Sequence, residues 1–118
     1  MKKPATNWQI EFFADSDGLN PVIEFINTLP AEERVKIRNQ LRLLQEFGIQ
    51  LGMPQARPLT AHKPLWELRP MPNRLIYVAM TGRRFVVLHA FKKKSQKTPP
   101  KEIRIAEKRY EILLEREK

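Results

Sequence analysis

The sequence predicts one α+β domain, spanning residues 1–118, that is built on a small, twisted, mainly antiparallel sheet. A length of 118 residues suits one compact domain, and a composition of 42% hydrophobic and 30% charged residues is ordinary for a soluble globular protein. The sequence patterns occur in the order strand, two helices, three strand-like runs and a last helix, which is typical of the α+β class.

The N-terminal part supplies the first strand and two helices. Residues 8–13 are rich in strand-forming side chains, and the turn sequence "DSDG" follows shortly after. Asn20 can cap a helix whose first position is Pro21, and Pro30 ends that helix. The run "AEERVKIRNQLRLLQEF" has apolar residues at helical spacing, and Gly48 suits the end of this second helix.

The rest of the chain predicts a connection, three strands and a helix. Residues 48–64 are rich in glycine and proline and contain at most one short strand, near Leu59. Three strand-like runs follow, and Gly82 suits a tight hairpin between the last two; the runs are residues 65–69, 74–80 and 84–91. Thr98 is a candidate N-cap for the last helix, whose apolar stripe comprises Ile103, Ala106, Tyr110 and Leu113.

The positive charge lies in one half of the chain. The formal net charge is +9, yet residues 1–61 contain seven basic and seven acidic side chains, which cancel. Between Glu67 and Glu102 there are nine basic side chains and no acid. A surface of one sign indicates an anionic partner, which on charge alone can be nucleic acid, an acidic protein or an anionic membrane. We favour nucleic acid.

Several kinds of chemistry are disfavoured by what the chain lacks. It has no cysteine, which fits a cytoplasmic location and excludes a thiolate nucleophile. Its two histidines, His62 and His89, lie 27 positions apart among few carboxylates, so we expect neither a metal nor another cofactor. His62 is assigned no role. No apolar run reaches the ~18 residues of a membrane span, so we expect no membrane partner.

Basic residues are expected to gather where strand ends meet. In an antiparallel hairpin the start of strand 74–80 lies beside the end of strand 84–91, which places Arg74 near the lysines at 92–94. Arg69, at the end of the preceding strand, should join them. Such a cluster can bind phosphate through arginine forks. It can also cleave RNA if arginine stabilises charge on phosphorus while lysine transfers protons.

Four other residues have an ordinary structural explanation. Arg83 and Arg84 at the hairpin tip are typical of solvated turn residues. His89 lies inside an apolar strand and is more typical of a hydrogen-bonded core histidine than of a catalyst. Tyr77 is in the middle of a strand, which favours core packing, although its hydroxyl could reach the basic cluster.

The segments "LWELRPMPNRLIYVAM" and "LHAFKKKSQKTPPKEIRIAEKR" strongly resemble the RelE/HigB toxin superfamily, in particular its phage-derived, HigB-like branch. The helix "PVIEFINTLP" and the long helix after it are also similar to that branch. The resemblance implies a RelE-like fold and a toxin of a type II toxin–antitoxin pair. Such toxins cut mRNA in the ribosomal A site, usually without metal, and a small antitoxin, often a helix-turn-helix protein of the HigA kind, neutralises them.

Some residues match functional positions of the family and others depart from them. Arg74, followed by "LIY", matches the catalytic arginine of the family, and Lys94 lies where RelE has a second functional arginine. Glu67 departs from the pattern because RelE has a functional lysine there, so RelE's acid and base roles are not transferred. The catalytic candidates are Arg74, Arg69, Lys94 and Lys92, the RNA-binding candidates are Lys93, Lys97, Arg83 and Arg84, and further candidates are His89, Tyr77 and Glu67.

Three functions are open at the level of the sequence. The leading hypothesis is a ribosome-dependent, metal-independent endoribonuclease toxin. The second is a non-catalytic RNA- or ribosome-binding module on the same fold, such as a decayed toxin. The third is a structural partner that uses its basic half to dock an acidic, antitoxin-like protein. Growth arrest on induction separates the first from the others, and RNA binding without cleavage selects the second.

Overall fold

The computed structural model describes residues 8–59, 61 and 64–118, which form three α-helices and one five-stranded sheet. In chain order the elements are β1 (Gln9–Phe12), α1 (Pro21–Asn27), α2 (Ala31–Phe47), a 3₁₀ turn (Gly48–Gln50), β2 (Ala56–Pro58), β3 (Trp66–Leu68), β4 (Asn73–Met80), β5 (Arg84–Lys92) and α3 (Pro100–Arg116). The predicted α+β class is confirmed.

The sheet has the strand order β1-β5-β4-β3-β2 and is antiparallel except at one edge. Strands β2 to β5 pair antiparallel in succession, and β1 joins β5 as a parallel neighbour. The central hairpin closes at Gly82, whose φ of +81° is the left-handed conformation that glycine adopts without strain. Its register places Asn73 opposite Lys92, close to the pairing that the sequence predicts.

Both faces of the sheet are covered, which explains the nearly continuous apolar runs of β4 and β5. Leu75 and Tyr77 pack into a core with α1 and α2, whereas Ile76 and Val78 pack into a second core with α3. This alternation follows from the two-residue period of a strand. A bulge opposite Ile76 leaves both Leu88 and His89 on the α3 side.

The helix ends confirm most of the predicted turn chemistry. The Asn20 side chain accepts a hydrogen bond of 3.2 Å from the backbone N–H of Ile23, and Pro21 takes the first position of α1. The N-cap of α3, however, is Pro99, so the prediction for Thr98 is wrong. Its hydroxyl donates instead to the buried carboxylate of Glu67 on β3.

Gly48, at the end of α2, offers a test of local packing. Its φ is +60°, and a Cβ added there would lie 2.6 Å from Nε1 of Trp8, whose ring stacks on Phe85. We expect Gly48→Ala to lower the free energy of unfolding by about 1–3 kcal/mol through backbone strain and displacement of the indole. Gly52→Ala is the matched control, because a Cβ there meets nothing within 4 Å. Equal urea midpoints for the two variants would contradict this account.

Candidate functional site

A buried carboxylate joins three neighbouring parts of the fold at one corner of the sheet. Glu67 on β3 is 0% exposed, and its Oε1 accepts a hydrogen bond of 3.0 Å from Nε of Arg57 on β2. The same oxygen lies 3.8 Å from Nε of Arg74 on β4. Its other oxygen accepts a hydrogen bond from the Thr98 hydroxyl, just before α3. The carboxylate therefore holds two guanidinium groups and the loop that precedes α3.

Arg74 is a buried guanidinium with one unused donor. It is 3% exposed, and its Nη1 donates to the backbone oxygen of Asn73 at 2.9 Å and contacts Sδ of Met71 at 3.2 Å. Within the described part of the chain, its Nη2 is buried and has no hydrogen-bond partner. Burial lowers the pKa of Arg74; Glu67 opposes this effect, and the charges of Arg69 and Arg57 lower the pKa further.

Positive charge therefore exceeds negative charge around this corner. An arginine keeps its proton in proteins even when its pKa is lowered. The charges of Arg57 and Arg69 both act on Arg74, and Glu67 is the one carboxylate among the described residues that opposes them. An added anion would relieve the repulsion and satisfy the unused donor.

Residues 93–99, which we call the lysine loop, pack closely over Arg74 and leave a pocket with no room for a water molecule. The backbone N–H of Lys93 donates to the carbonyl of Pro72 at 2.8 Å, which ties the start of the loop to the β3–β4 turn. The Thr98 hydroxyl ties its end to Glu67. The pocket is lined by Arg74, Phe91 and the loop, including Lys93, Lys94 and Lys97. The predicted neighbourhood of Arg74 with Lys93 and Lys94 is therefore present, and Lys97 joins it.

Lys92 lies on the other face of the sheet. Its Nζ is 3.3 Å from Oε1 of Glu33 on α2, and the same oxygen accepts a hydrogen bond of 2.9 Å from Nδ2 of Asn73. The Asn73 hydrogen bond, followed by the contact with Lys92, lowers the pKa of Glu33. The expectation that Lys92 joins Arg74 in one cluster is wrong, because cross-strand pairing puts Phe91 on the face of Arg74 and turns the next residue away.

Arg69 lies between the Arg74 pocket and a groove against α2. It is half-buried, its Nη1 is 3.8 Å from Sδ of Met53, and it lines a groove against α2 together with Met71. Its charge still acts on Arg74. The structure therefore keeps Arg69 near the pocket without making it part of the pocket lining.

The two hairpin arginines are far from the pocket. Arg84 lies opposite Met80, six positions along β4 from Arg74, which corresponds to about 20 Å. Its guanidinium bonds Glu11 at 3.2 Å and Glu117 at 2.7 Å, so it fastens β1 to the end of α3. Arg83 is exposed at the turn with a φ of 55°. The predicted RNA-binding role of this pair therefore does not belong to the same surface as the lysine loop.

Tyr77 and His89 are structural residues in this fold. Tyr77 is buried against Phe85 in the core below α1 and α2, on the face opposite Arg74, and burial raises the pKa of its hydroxyl. Nε2 of His89 is 2.6 Å from Glu102, and Nη1 of Arg109 is 3.2 Å from its Nδ1. A guanidinium can only donate, so Nδ1 is the acceptor and the ring proton is on Nε2.

Sequence reasoning missed Arg57 and the true partner of Thr98. Arg57 lies in a segment that the sequence predicts as a connection, whereas it belongs to β2 and pairs directly with Glu67. The sequence predicts a short strand near Leu59, next to the observed β2. If this strand had been predicted at residues 56–58, its antiparallel pairing with β3 would have indicated the contact between Arg57 and Glu67. His62 lies outside the described residues.

Among residues 8–59, 61 and 64–118, no group of three or more histidine, aspartate or glutamate side chains is placed to hold a metal ion. No helix in these same residues is long and apolar enough to cross a membrane.

A family model described as "Phage derived protein Gp49-like (DUF891)" matches residues 24–111. The match includes Glu67, Arg74 and the whole lysine loop. The chain belongs to this Gp49-like family. Gp49-like proteins are toxins of toxin–antitoxin pairs related to RelE and HigB, which agrees with the resemblance seen in the sequence. No curated protein matches the chain.

The buried His89 predicts a specific pH dependence of stability. Desolvation lowers the pKa of His89 below its ordinary 6.5, and the nearby Arg109 adds to this effect, although Glu102 opposes it. As the pH falls through about 6.5, His89 binds a proton in the unfolded chain but not in the folded protein. The contribution of His89 to the free energy of unfolding is therefore complete above this pH and is lost as the pH drops towards the lowered pKa of the folded state.

We expect the free energy of unfolding of the wild type, measured by urea denaturation, to fall as the pH is lowered from about 7 to about 5. In His89→Gln the same free energy should change less over this range. Glu33 does not interfere in this range, because its pKa is lowered from 4.5 and its contribution is lost only at more acidic pH. An identical pH dependence in the two proteins would show that His89 is not the responsible group.

Proposed function

We propose that this Gp49-like protein is the toxin of a type II toxin–antitoxin pair and acts as a ribosome-dependent, metal-independent endoribonuclease that cleaves mRNA. The supporting observation is the unused, buried Nη2 donor of Arg74 in a pocket lined by Lys93, Lys94 and Lys97. A guanidinium surrounded by excess positive charge favours a phosphate group. Because the pocket has no free space in this structure, the lysine loop moves aside in this proposal to admit the phosphate.

The chemistry follows from what RNA cleavage requires. The 2′-oxygen attacks phosphorus and loses its proton, negative charge builds on the phosphate oxygens, and the 5′-oxygen leaves with a proton. Arg74 is the charge-stabilising donor in this proposal, because a pre-oriented, water-excluded donor acts most strongly on developing charge. Lys94 and Lys97 are the proton-transfer candidates, and Lys93 binds the backbone.

Glu67 is a positioning residue rather than a catalytic one in this proposal. It holds Arg74 and Arg57 on one side and, through Thr98, the end of the lysine loop on the other. Lys92 has a similar supporting part on the opposite face, where Glu33 links the end of β5 to α2. The ribosome would supply what this pocket lacks, namely an mRNA held in line for attack.

The antitoxin in this proposal is a small helix-turn-helix protein of the HigA kind. The toxin–antitoxin family suggests an antitoxin partner, and its helix-turn-helix character is inferred from the resemblance of the sequence to the HigB-like branch. A net charge of +9 favours an antitoxin that carries acidic residues on its contact surface.

A non-catalytic RNA- or ribosome-binding module is the second candidate. The observation that favours it is the composition of the pocket, whose described lining contains lysines and an arginine but neither a histidine nor a carboxylate. Such a pocket binds phosphate readily and offers few groups suited to accept a proton at neutral pH.

Cleavage by the wild type separates these two functions, and Arg74→Lys tests the role of Arg74. The substitution keeps the positive charge beside Glu67 but removes the forked donor, so we expect cleavage of translated mRNA on purified ribosomes to fall by about 10²–10³-fold. Arg83→Lys at the distant hairpin tip is the matched control and should cleave like the wild type. Melting curves verify that both variants fold.

A folded Arg74→Lys protein that cleaves at the wild-type rate would remove Arg74 from the reaction. A wild-type protein that binds ribosomes and never cleaves mRNA would select the non-catalytic module.

Salt dependence tests whether the pocket binds the RNA backbone. Four cations line the pocket and Arg69 lies beside it, so about five phosphate contacts are available. For a single strand we expect the logarithm of affinity to fall with the logarithm of salt concentration at a slope of about −3.5, from roughly −0.7 per contact. A filter-binding slope near zero would exclude backbone neutralisation as the source of affinity.

A further inference from the structure

A second concave surface lies beside the Arg74 pocket, between α2 and the turn that joins β3 to β4. This groove has a volume of about 370 Å³, which is within the size range of small-molecule sites. Lys36, Asn39 and Gln40 line it from α2, and Arg69 and Met71 line it from the turn. None of the described residues that line it carries a carboxylate.

Two polar atoms of the groove residues are buried and have no partner within the described part of the chain. They are Oε1 of Gln40, which is an acceptor, and Nε of Arg69, which is a donor. Burying such atoms without hydrogen bonds costs about 1–3 kcal/mol each, so they indicate a surface completed by a ligand that both donates and accepts.

Met71 connects the groove to the Arg74 pocket. Its side chain is 51% exposed, lines the groove, and contacts Nη1 of Arg74 through sulfur at 3.2 Å. Met71 therefore lies between Arg74 and the groove, so an RNA strand that extends from Arg74 over Met71 would enter the groove. A thioether is polarisable and packs well against flat aromatic surfaces.

We propose that this groove binds the nucleotide next to the scissile phosphate and reads its base through Gln40. The flat face of the base packs on Met71 and Leu43, the Gln40 oxygen accepts from a base amino group, and Nε–H of Arg69 donates to a base acceptor. Lys36 then contacts the backbone phosphate. The substrate class is single-stranded RNA, and this assignment rests on the proposed function.

An acidic protein segment is the competing occupant of the groove. A carboxylate can satisfy Arg69 and a peptide N–H can satisfy the Gln40 oxygen, so RNA is favoured by the position of the groove next to Arg74 rather than by its hydrogen-bonding groups. The contact between Met71 and Arg74 makes the groove continuous with a phosphate-binding pocket.

The test is a binding titration, which does not depend on cleavage. Short single-stranded RNAs of equal length and different base composition are titrated into the whole protein while the side-chain amide signals of Gln40 and Asn39 are followed by NMR. We expect the Gln40 signal to move, and the dissociation constants to differ between bases. Gln40→Met, which keeps the size and removes the acceptor, should weaken the preferred RNA by about tenfold and reduce the preference.

Gln45→Met is the matched control, because Gln45 is an exposed glutamine on the same helix that does not line the groove. It should bind like the wild type. Unchanged affinity and base preference in Gln40→Met, or chemical-shift changes confined to the lysine loop, would overturn the proposal. So would displacement of the Gln40 signal by a synthetic acidic peptide but by no RNA, which would assign the groove to a protein partner.

The two proposals fail in different ways. A protein that binds RNA at Gln40 but never cleaves mRNA refutes the endoribonuclease and keeps the subsite. A protein that cleaves with the same cut-site distribution in wild type and Gln40→Met refutes the subsite and keeps the endoribonuclease.

Discussion

The ion pair between a fully buried carboxylate and two arginines is the interaction on which the candidate functional site of this protein depends. Removing a charge from water costs several kcal/mol, and Glu67 recovers this cost only through Arg57, Arg74 and the Thr98 hydroxyl together. Breaking such a pair by removing one partner typically costs about 3–5 kcal/mol. Because its three partners come from β2, β4 and the lysine loop, the carboxylate fixes their relative positions with one group.

The same arrangement leaves a surplus of positive charge that suits an anionic ligand. One carboxylate cannot neutralise three neighbouring guanidinium groups, and Arg74 keeps a donor that no described residue uses. The lysine loop then adds charge on one side, while the groove along α2 adds the amides of Asn39 and Gln40 together with the charge of Lys36 on the other. Binding of phosphate and recognition of a base would thus occur on adjacent surfaces that Met71 joins, so affinity and sequence preference can be altered separately.

The alternation of side chains between the two faces of a strand decides which basic residues lie beside Arg74. Arg74 pairs with Phe91, so Lys92 faces α2 and its charge is committed to Glu33, whereas the lysines that follow leave the strand and curl over Arg74. The hairpin arginines are excluded by distance, since Arg84 fastens β1 to α3 at the other end of the strand. The basic residues of the C-terminal half of the chain therefore fall into three groups: those that line the Arg74 pocket, those that form ion pairs within the fold and those that line the groove.

The sequence by itself determined the class of fold, the order of elements, the central hairpin and the presence of Arg74 beside a lysine loop. These features depend on local periodicity, turn residues and the short connection of one hairpin. Only the tertiary structure decided the face of Lys92, the pairing of Arg57 with Glu67 and the partner of Thr98. A shift of one residue in register reverses the face of every side chain in a strand, and patterns that are apolar on both faces do not specify that register. Thr98 and Glu67 are 31 positions apart, so their contact depends on the packing of α3 against the sheet rather than on any local signal.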